Sequence, residues 1–317
     1  MSNLKHVSWM AACAVAMLAT ASAQSLPSSY DLSSELPPIG DQQQNTGNGA
    51  MQCQNWAAAY YALTQYVKHF EHPEWDLTNP QYQFSPAFLN NYGGTIPGND
   101  SSRCSFLLMH GCADMALFPY SNIFTGASPT IAQKQAALLY QVAGIDTLWD
   151  YGQNHPVYST SQTLIDKAKS YIVSGHVLDV GLSGDNMMFP DTYGYPAMRF
   201  YDPDYPDGAN LASMGHQVVF CAYNDNINPS ATDPDHRGGF LVANEWTTNW
   251  NGDMHGFLWV SYAYVKQYVG DCTVITNIVS DTPVITGVDV SQGKPGDEVN
   301  ISGTSFGGEF KGRQSDV

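Results

Sequence analysis

Cys53 stands where a glycine-bearing polar loop, Gln42 to Gln52, gives way to an apolar-periodic segment. Trp56, Ala59, Tyr60, Leu63, Val67 and Phe70 recur at the three- and four-residue spacing of one helical face, which predicts a helix beginning at the cysteine. The amides of a first helical turn and the positive end of the helix dipole favour thiolate, the nucleophilic form of the side chain. A lone cysteine is more commonly a buried structural residue, so the residues downstream decide between the two. Gly215-His216 opens the apolar, β-branched and aromatic run Gln217 to Tyr223, which predicts a strand. A further predicted strand, Gly239 to Ala243, ends at Asn244-Glu245-Trp246. A Cys early, then a His, then an Asn, each at the end of a predicted element, supply a nucleophile, a base and a side-chain oxygen that can orient the imidazole.

The elements that must position these groups divide into two halves. The first, with the Cys53 segment and Ile131 to Val142, reads as mostly helical. From about Asp150 the chain alternates short strands with Gly, Pro, Asn and Asp turns. The expected class is α+β, with a helical half carrying Cys against a β-rich half carrying His and Asn. Segments 184–210 and 224–238, rich in Asp, Pro, Gly and Asn, read as surface loops.

Several motifs follow one another in a fixed order. They are Leu26-Pro27-Ser28-Ser29-Tyr30-Asp31-Leu32, Pro38-Ile39-Gly40-Asp41-Gln42, Cys53-Gln54-Asn55-Trp56-Ala57, Phe84-Ser85-Pro86-Ala87-Phe88-Leu89, Phe118-Pro119-Tyr120, Gly215-His216-Gln217-Val218-Val219 and Asn244-Glu245-Trp246. Over 26–264 this ordered set resembles the papain-like (C1) cysteine peptidases, more closely their secreted bacterial branch. The resemblance implies a two-lobed fold with the substrate cleft between the lobes. It implies Cys53 as nucleophile, His216 as general base and then acid, Asn244 as the group that orients the imidazole, and Trp246 as its apolar shield. It implies Gln42 as an oxyanion donor beside the Cys53 N–H, a pair that contributes roughly 3 kcal/mol or more of transition-state stabilisation.

Two departures from the family's pattern stand out. The stretch from Gln42 to Cys53 is longer than usual, with Asn45, Thr46, Gly47, Asn48 and Gly49 as inserted turn residues, which leaves Gln43, Gln44 and Gln52 as alternative oxyanion donors. Glu245 and Thr247 replace the small residues the family usually carries around the tryptophan, so a charge stands beside the base.

Lys5 and His6, the apolar stretch Trp9 to Ala19 and Ala21-Ser22-Ala23 read as a signal peptide over 1–23, cleaved before Gln24. The apolar run is short for a membrane anchor, which needs about 20 residues. Secretion, to the periplasm, the medium or the surface of a bacterial cell, is the expectation. Removing Cys13 with the leader leaves an odd number of the six cysteines, so one thiol stays unpaired in an oxidising compartment. With Cys53 as that thiol, Cys104 is expected to pair with Cys112 across a short loop and Cys221 with Cys272. A zinc site from Cys104, His110 and Cys112 is the alternative.

The formal net charge of −17 and pI near 4.5 argue against nucleic acid or anionic lipid as partners. The sequence contains no phosphate-binding loop, basic patch or HExxH motif, and no cofactor is expected. His69 and His72 read as residues solvating a helix end, and His176 as a strand-edge residue. After a peptidase-like domain over 24–280, the pattern changes: Pro283 to Val288, Gly293 to Gly303 and Phe306-Gly307 resemble the opening of an IPT/TIG immunoglobulin-like module, over 281–317. That is too few residues for a sandwich of about 100, so the segment reads as partial, and as a route to a cell-surface or adhesion partner. The resemblance implies a secreted cysteine endopeptidase acting on proteins or peptides through an acyl-thioester. The alternatives are a catalytically silent peptide-binding or surface protein of the same fold, and a Cys-His amidase or transferase acting on cell-wall peptides.

Overall fold

In the computed structural model of the chain, the described residues are 25–44, 52–93, 106–151, 159–183, 215–227, 237–279, 284–288 and 301–304. The expected signal peptide, Cys104, the loop insert 45–49 and segment 184–210 lie outside them.

The centre of the molecule is one long helix, α1, over residues 53–71. Its Cys53–Asn55 and Thr64–Tyr66 turns are α, and its Trp56–Leu63 and Val67–Glu71 stretches open into wider π turns. Thr64 N–H and hydroxyl both reach the Ala59 carbonyl five residues back, and His72 N–H closes on Val67 O at 2.8 Å. The predicted face is buried through Val67, whereas Phe70 is 38 % exposed. Burial goes beyond that face: every residue from Asn55 to Val67 is buried. The reason is packing on two sides, with α2 (Pro86–Gly93) on one and the strands of the large sheet on the other. Alanines at 57, 58, 59 and 62 let those layers approach.

The large sheet is antiparallel throughout. Its strands are β1 (Ser29–Asp31), β2 (Val142–Asp150), β3 (Leu178–Ser183), β4 (Gly215–Asn224), β5 (Gly239–Ala243), β6 (Phe257–Ser261) and β7 (Val269–Ile278), in the order β2-β7-β3-β4-β5-β6. One edge of β4 serves two partners: its first half pairs with β3, Leu182 facing His216, and its second half pairs with β1, Tyr30 facing Tyr223. Helices α3 (Ile131–Ala137, opened by a Thr130–Gln133 capping box), α4 (Gln162–Val173) and α5 (Tyr262–Tyr268) complete this body. β8 (Val284–Val288) and β9 (Ile301–Thr304) form a separate two-stranded ladder.

Two expectations are corrected. The helix predicted to run from Ile131 to Val142 ends at Ala137 and passes through a 3-10 turn, Leu138–Tyr140, because Val142 already begins a strand paired with Ile278. The Cys221–Cys272 disulfide is not made. Cys272 faces Val180 on β3, so β3 separates the two cysteines by two strand spacings, roughly 9.6 Å, beyond disulfide reach. Cys221 instead sits at a register shift of the β4–β5 pair and points its thiol at Leu241 O, 3.5 Å away. The expected Cys104–Cys112 pair involves Cys104, outside the described residues; Cys112 is a buried thiol directed at the Ser85 and Ala113 carbonyls.

Candidate active site

Cys53 is the first residue of α1, and the chain just before it is fixed by Gln52. The Gln52 carbonyl accepts Asn55 N–H at 2.9 Å and Trp56 N–H at 3.1 Å, and its side chain bonds Asn90 and Asn55. The backbone amides of Gln54 and Gln217 hydrogen-bond to the sulfur. Gln217 follows His216, so the nucleophile candidate touches the strand that carries the base candidate.

His216 stands at the start of β4 and is buried. Its Nε2 meets Asn244 Oδ1 at 2.8 Å, and its ring stacks on Trp246 with centroids 4.4 Å apart and planes 21° apart. Trp250 closes the outer side of Trp246 edge-on, at 5.6 Å. Asn244 Oδ1 also accepts the Glu245 N–H at 2.9 Å.

The lead-in segment to Gln42 runs beside these residues. Thr247 N–H donates to Gly40 O at 2.9 Å, Asp41 bridges Trp246, and Gln42 N–H donates to Glu245 O at 2.8 Å. The Gln42 carbonyl accepts Tyr120 O–H at 2.6 Å. Gln42 is buried, and among the described residues its Oε1 has no hydrogen-bond partner. Gln43 and Gln44 are exposed, and Gln52 is held on Asn90, so Gln42 alone of the four glutamines is buried beside the Asn244 segment.

Two connections escaped the sequence reading. Tyr61, on α1, accepts Gly40 N–H at 3.0 Å and donates to Asn244 O at 3.1 Å. Gly40 lies so close to Trp56 that an added Cβ would stand 2.2 Å from the indole ring, a contact only glycine permits. No motif announces Tyr61, since its apolar neighbours in the run already explain it as core.

The electrostatics differ from the expectation of an activated thiol. Burial pushes the Cys53 thiol up to about 12, and the carboxyl of Glu245 is the next largest influence in the same direction. Burial pushes His216 down to about 4 against its bond to Asn244. Burial likewise holds Glu245 well above the usual carboxylate range. Ionisation of the Cys–His pair therefore depends on mutual compensation of charge.

Among the described residues no group of three His, Cys, Asp or Glu side chains is placed to hold a metal. His110 packs against Tyr92 and Phe106, and Cys112 bonds away from it. His69 pairs with Glu35 at 2.5 Å, and His72 stacks on Trp75. His176 lies among Tyr66, Phe70 and Tyr171.

No protein-family profile and no curated protein matches the sequence. Solved structures do match. Xylellain, a cysteine protease from Xylella fastidiosa, is 20% identical with a TM-score of 0.55, over 80% of this chain and 87% of that one. The cysteine protease and lectin-like domains of Cwp84, a surface layer associated protein of Clostridium difficile, give 17% and 0.54 over 80% and 52%. The bromelain protease of Ananas comosus, solved with the E64 inhibitor, gives 16% and 0.51 over 78% and 98%. With its long buried helix against an antiparallel sheet, this chain has the papain-like cysteine protease fold.

Proposed function

We propose that the chain is a secreted cysteine endopeptidase that hydrolyses peptide bonds through an acyl-thioester on Cys53. The observation that carries the reading is the His216 Nε2–Asn244 Oδ1 bond at 2.8 Å beneath Trp246, on the strand whose next amide bonds the Cys53 sulfur. In this reading His216 takes the Cys53 proton and the thiolate attacks the substrate carbonyl carbon. The oxyanion is held by the Cys53 N–H and the Gln42 side-chain amide. As the C–N bond breaks, His216 returns its proton to the leaving amine. Water, deprotonated by His216, then cleaves the thioester, releasing the acid and restoring the thiol. Secretion rests on the leader-like segment 1–23. Among the described residues no helix is long and apolar enough to cross a membrane. The 281–317 segment remains a proposed partial IPT/TIG-like module.

The half-buried Cys53 thiol, pushed upward by desolvation and by Glu245, favours a second reading, a silent peptide-binding protein of the same fold. Incubation with a panel of unfolded proteins, with and without a thiol-directed epoxide, separates the two. Epoxide-sensitive cleavage that is absent in Cys53→Ala supports the peptidase. Gln42→Ala then lowers turnover by roughly a hundredfold while leaving Cys53 alkylation almost unchanged. Absence of cleavage of every protein in the panel favours the binder.

A further inference from the structure

Glu245 is a charged residue beside the base that the proposed chemistry leaves unused; Asp179, on β3, is the other carboxyl that acts on the Cys53 thiol. It is 0 % exposed, and among the described residues neither carboxyl oxygen has a hydrogen-bond partner. Its Oε1 lies 3.5 Å from His216 Nε2, the same ring nitrogen that meets Asn244 Oδ1. Its backbone is pinned on both sides, the N–H donating to Asn244 Oδ1 and the carbonyl accepting Gln42 N–H. The titratable side chains facing it are Cys53 and Tyr61 from α1, Tyr120 from the 3-10 turn Tyr120–Phe124, and His216 from β4. Of these, only His216 can become a cation.

We propose that Glu245 is a positioning residue that acts through His216, competing with the Cys53 sulfur for the imidazolium. The inference rests on the peptidase reading. Besides the all-neutral thiol, imidazole and carboxylic acid, two net-neutral arrangements hold the same two protons. One is thiolate, imidazolium and carboxylic acid; the other is thiol, imidazolium and carboxylate. They differ by one proton moved from carboxyl to sulfur, and only the first is nucleophilic. A carboxylate this close favours the imidazolium and disfavours the thiolate. It therefore delays thiolate formation to higher pH and carries the protonated imidazole to higher pH with it. The whole working window moves toward alkali.

Glu245→Gln keeps the shape and removes the charge. The lower midpoint of Cys53 alkylation by iodoacetamide then moves about one unit toward acid, with ~tenfold faster labelling on that limb. Both limbs of the turnover profile on an unfolded protein move the same way. Glu245→Ser, which also lacks the charge, gives the same direction. A measurement that does not depend on the thiol is the ¹⁵N titration of the His216 ring in Cys53→Ala. The midpoint is expected to fall when Glu245→Gln is added to that variant, and one that does not move overturns the proposal. A fast-labelling Cys53 whose profile does not move in either Glu245 variant overturns this inference alone. A parent Cys53 that labels no faster than Cys112 at any pH overturns the peptidase reading and this inference together.

Discussion

Tyr61 donates its hydroxyl to the Asn244 carbonyl at 3.1 Å, joining positions 183 residues apart, and accepts Gly40 N–H on the same oxygen. One buried phenol thus ties the helix that begins at Cys53 to the loop that carries Asn244 and to the segment leading to Gln42. Tyr61→Phe leaves a buried donor and a buried acceptor unsatisfied, a cost of about 1–3 kcal/mol for each such group. The expected outcome is a lower midpoint in urea unfolding together with slower turnover. A midpoint equal to the parent's would show that neither bond matters to the fold.

His216 and Asn244 are expected to divide the work unequally. His216→Ala removes the group that carries the proton and abolishes turnover nearly as completely as Cys53→Ala. Asn244→Ala leaves weak activity, since the lost 2.8 Å bond orients the ring without moving its proton. Steady-state kcat/KM on one unfolded protein substrate checks both. An Asn244→Ala enzyme as active as the parent removes Asn244 from the mechanism.

Thr247 adopts φ 71°, a left-handed conformation that suits a β-branched residue poorly. Its hydroxyl accepts the Asn249 N–H at 3.1 Å, at an exposed site. Thr247→Gly relieves strain of about 1–3 kcal/mol and gives part of that back through the lost bond and a looser unfolded chain. A net gain of about 1 kcal/mol in denaturant unfolding is expected; a loss would mean the threonine side chain holds the loop.

His176 provides a pH dependence with a definite sign. Half-buried among Tyr66, Phe70 and Tyr171, its ring is held below the ordinary imidazole value, chiefly by burial. The unfolded chain binds a proton as pH falls through about 6.5, while the folded site stays neutral. The unfolded state then holds more protons, and stability present above that pH is lost below it. His176→Phe should narrow the difference between unfolding midpoints at pH 7.5 and pH 5. An undiminished difference assigns the acid sensitivity to other groups.

Much of the site could be read from residue types and order, because Cys53, His216, Asn244 and Trp246 each sit at an element boundary marked by local pattern. Periodicity places a residue on a face, and a strand end places it at a rim. What the sequence hides are choices made by the tertiary arrangement. The apolar face of α1 predicted burial on one side, whereas the alanines that let a second layer dock look like ordinary helix formers. Cys221 and Cys272 both lie on strands, yet only the strand order reveals that β3 comes between them. Val142 begins a strand within a stretch whose composition reads as helix, because pairing with β7 outweighs local propensity. Glu245 stood out as a departure, but neither its complete burial nor its approach to His216 has a one-dimensional signal.

The two-partner edge of β4 bears on how the molecule comes into being. β1 pairs with residues 222–224, and the segment ending at Gln42 takes its backbone partners from residues 245–247. A ribosome therefore delivers the Cys53 helix long before the surfaces that organise it exist. Closure of these long loops is slow compared with helix formation. The reactive centre should mature late and as a unit, so that a nascent chain carries its thiol for most of its synthesis without the apparatus that would put it to use.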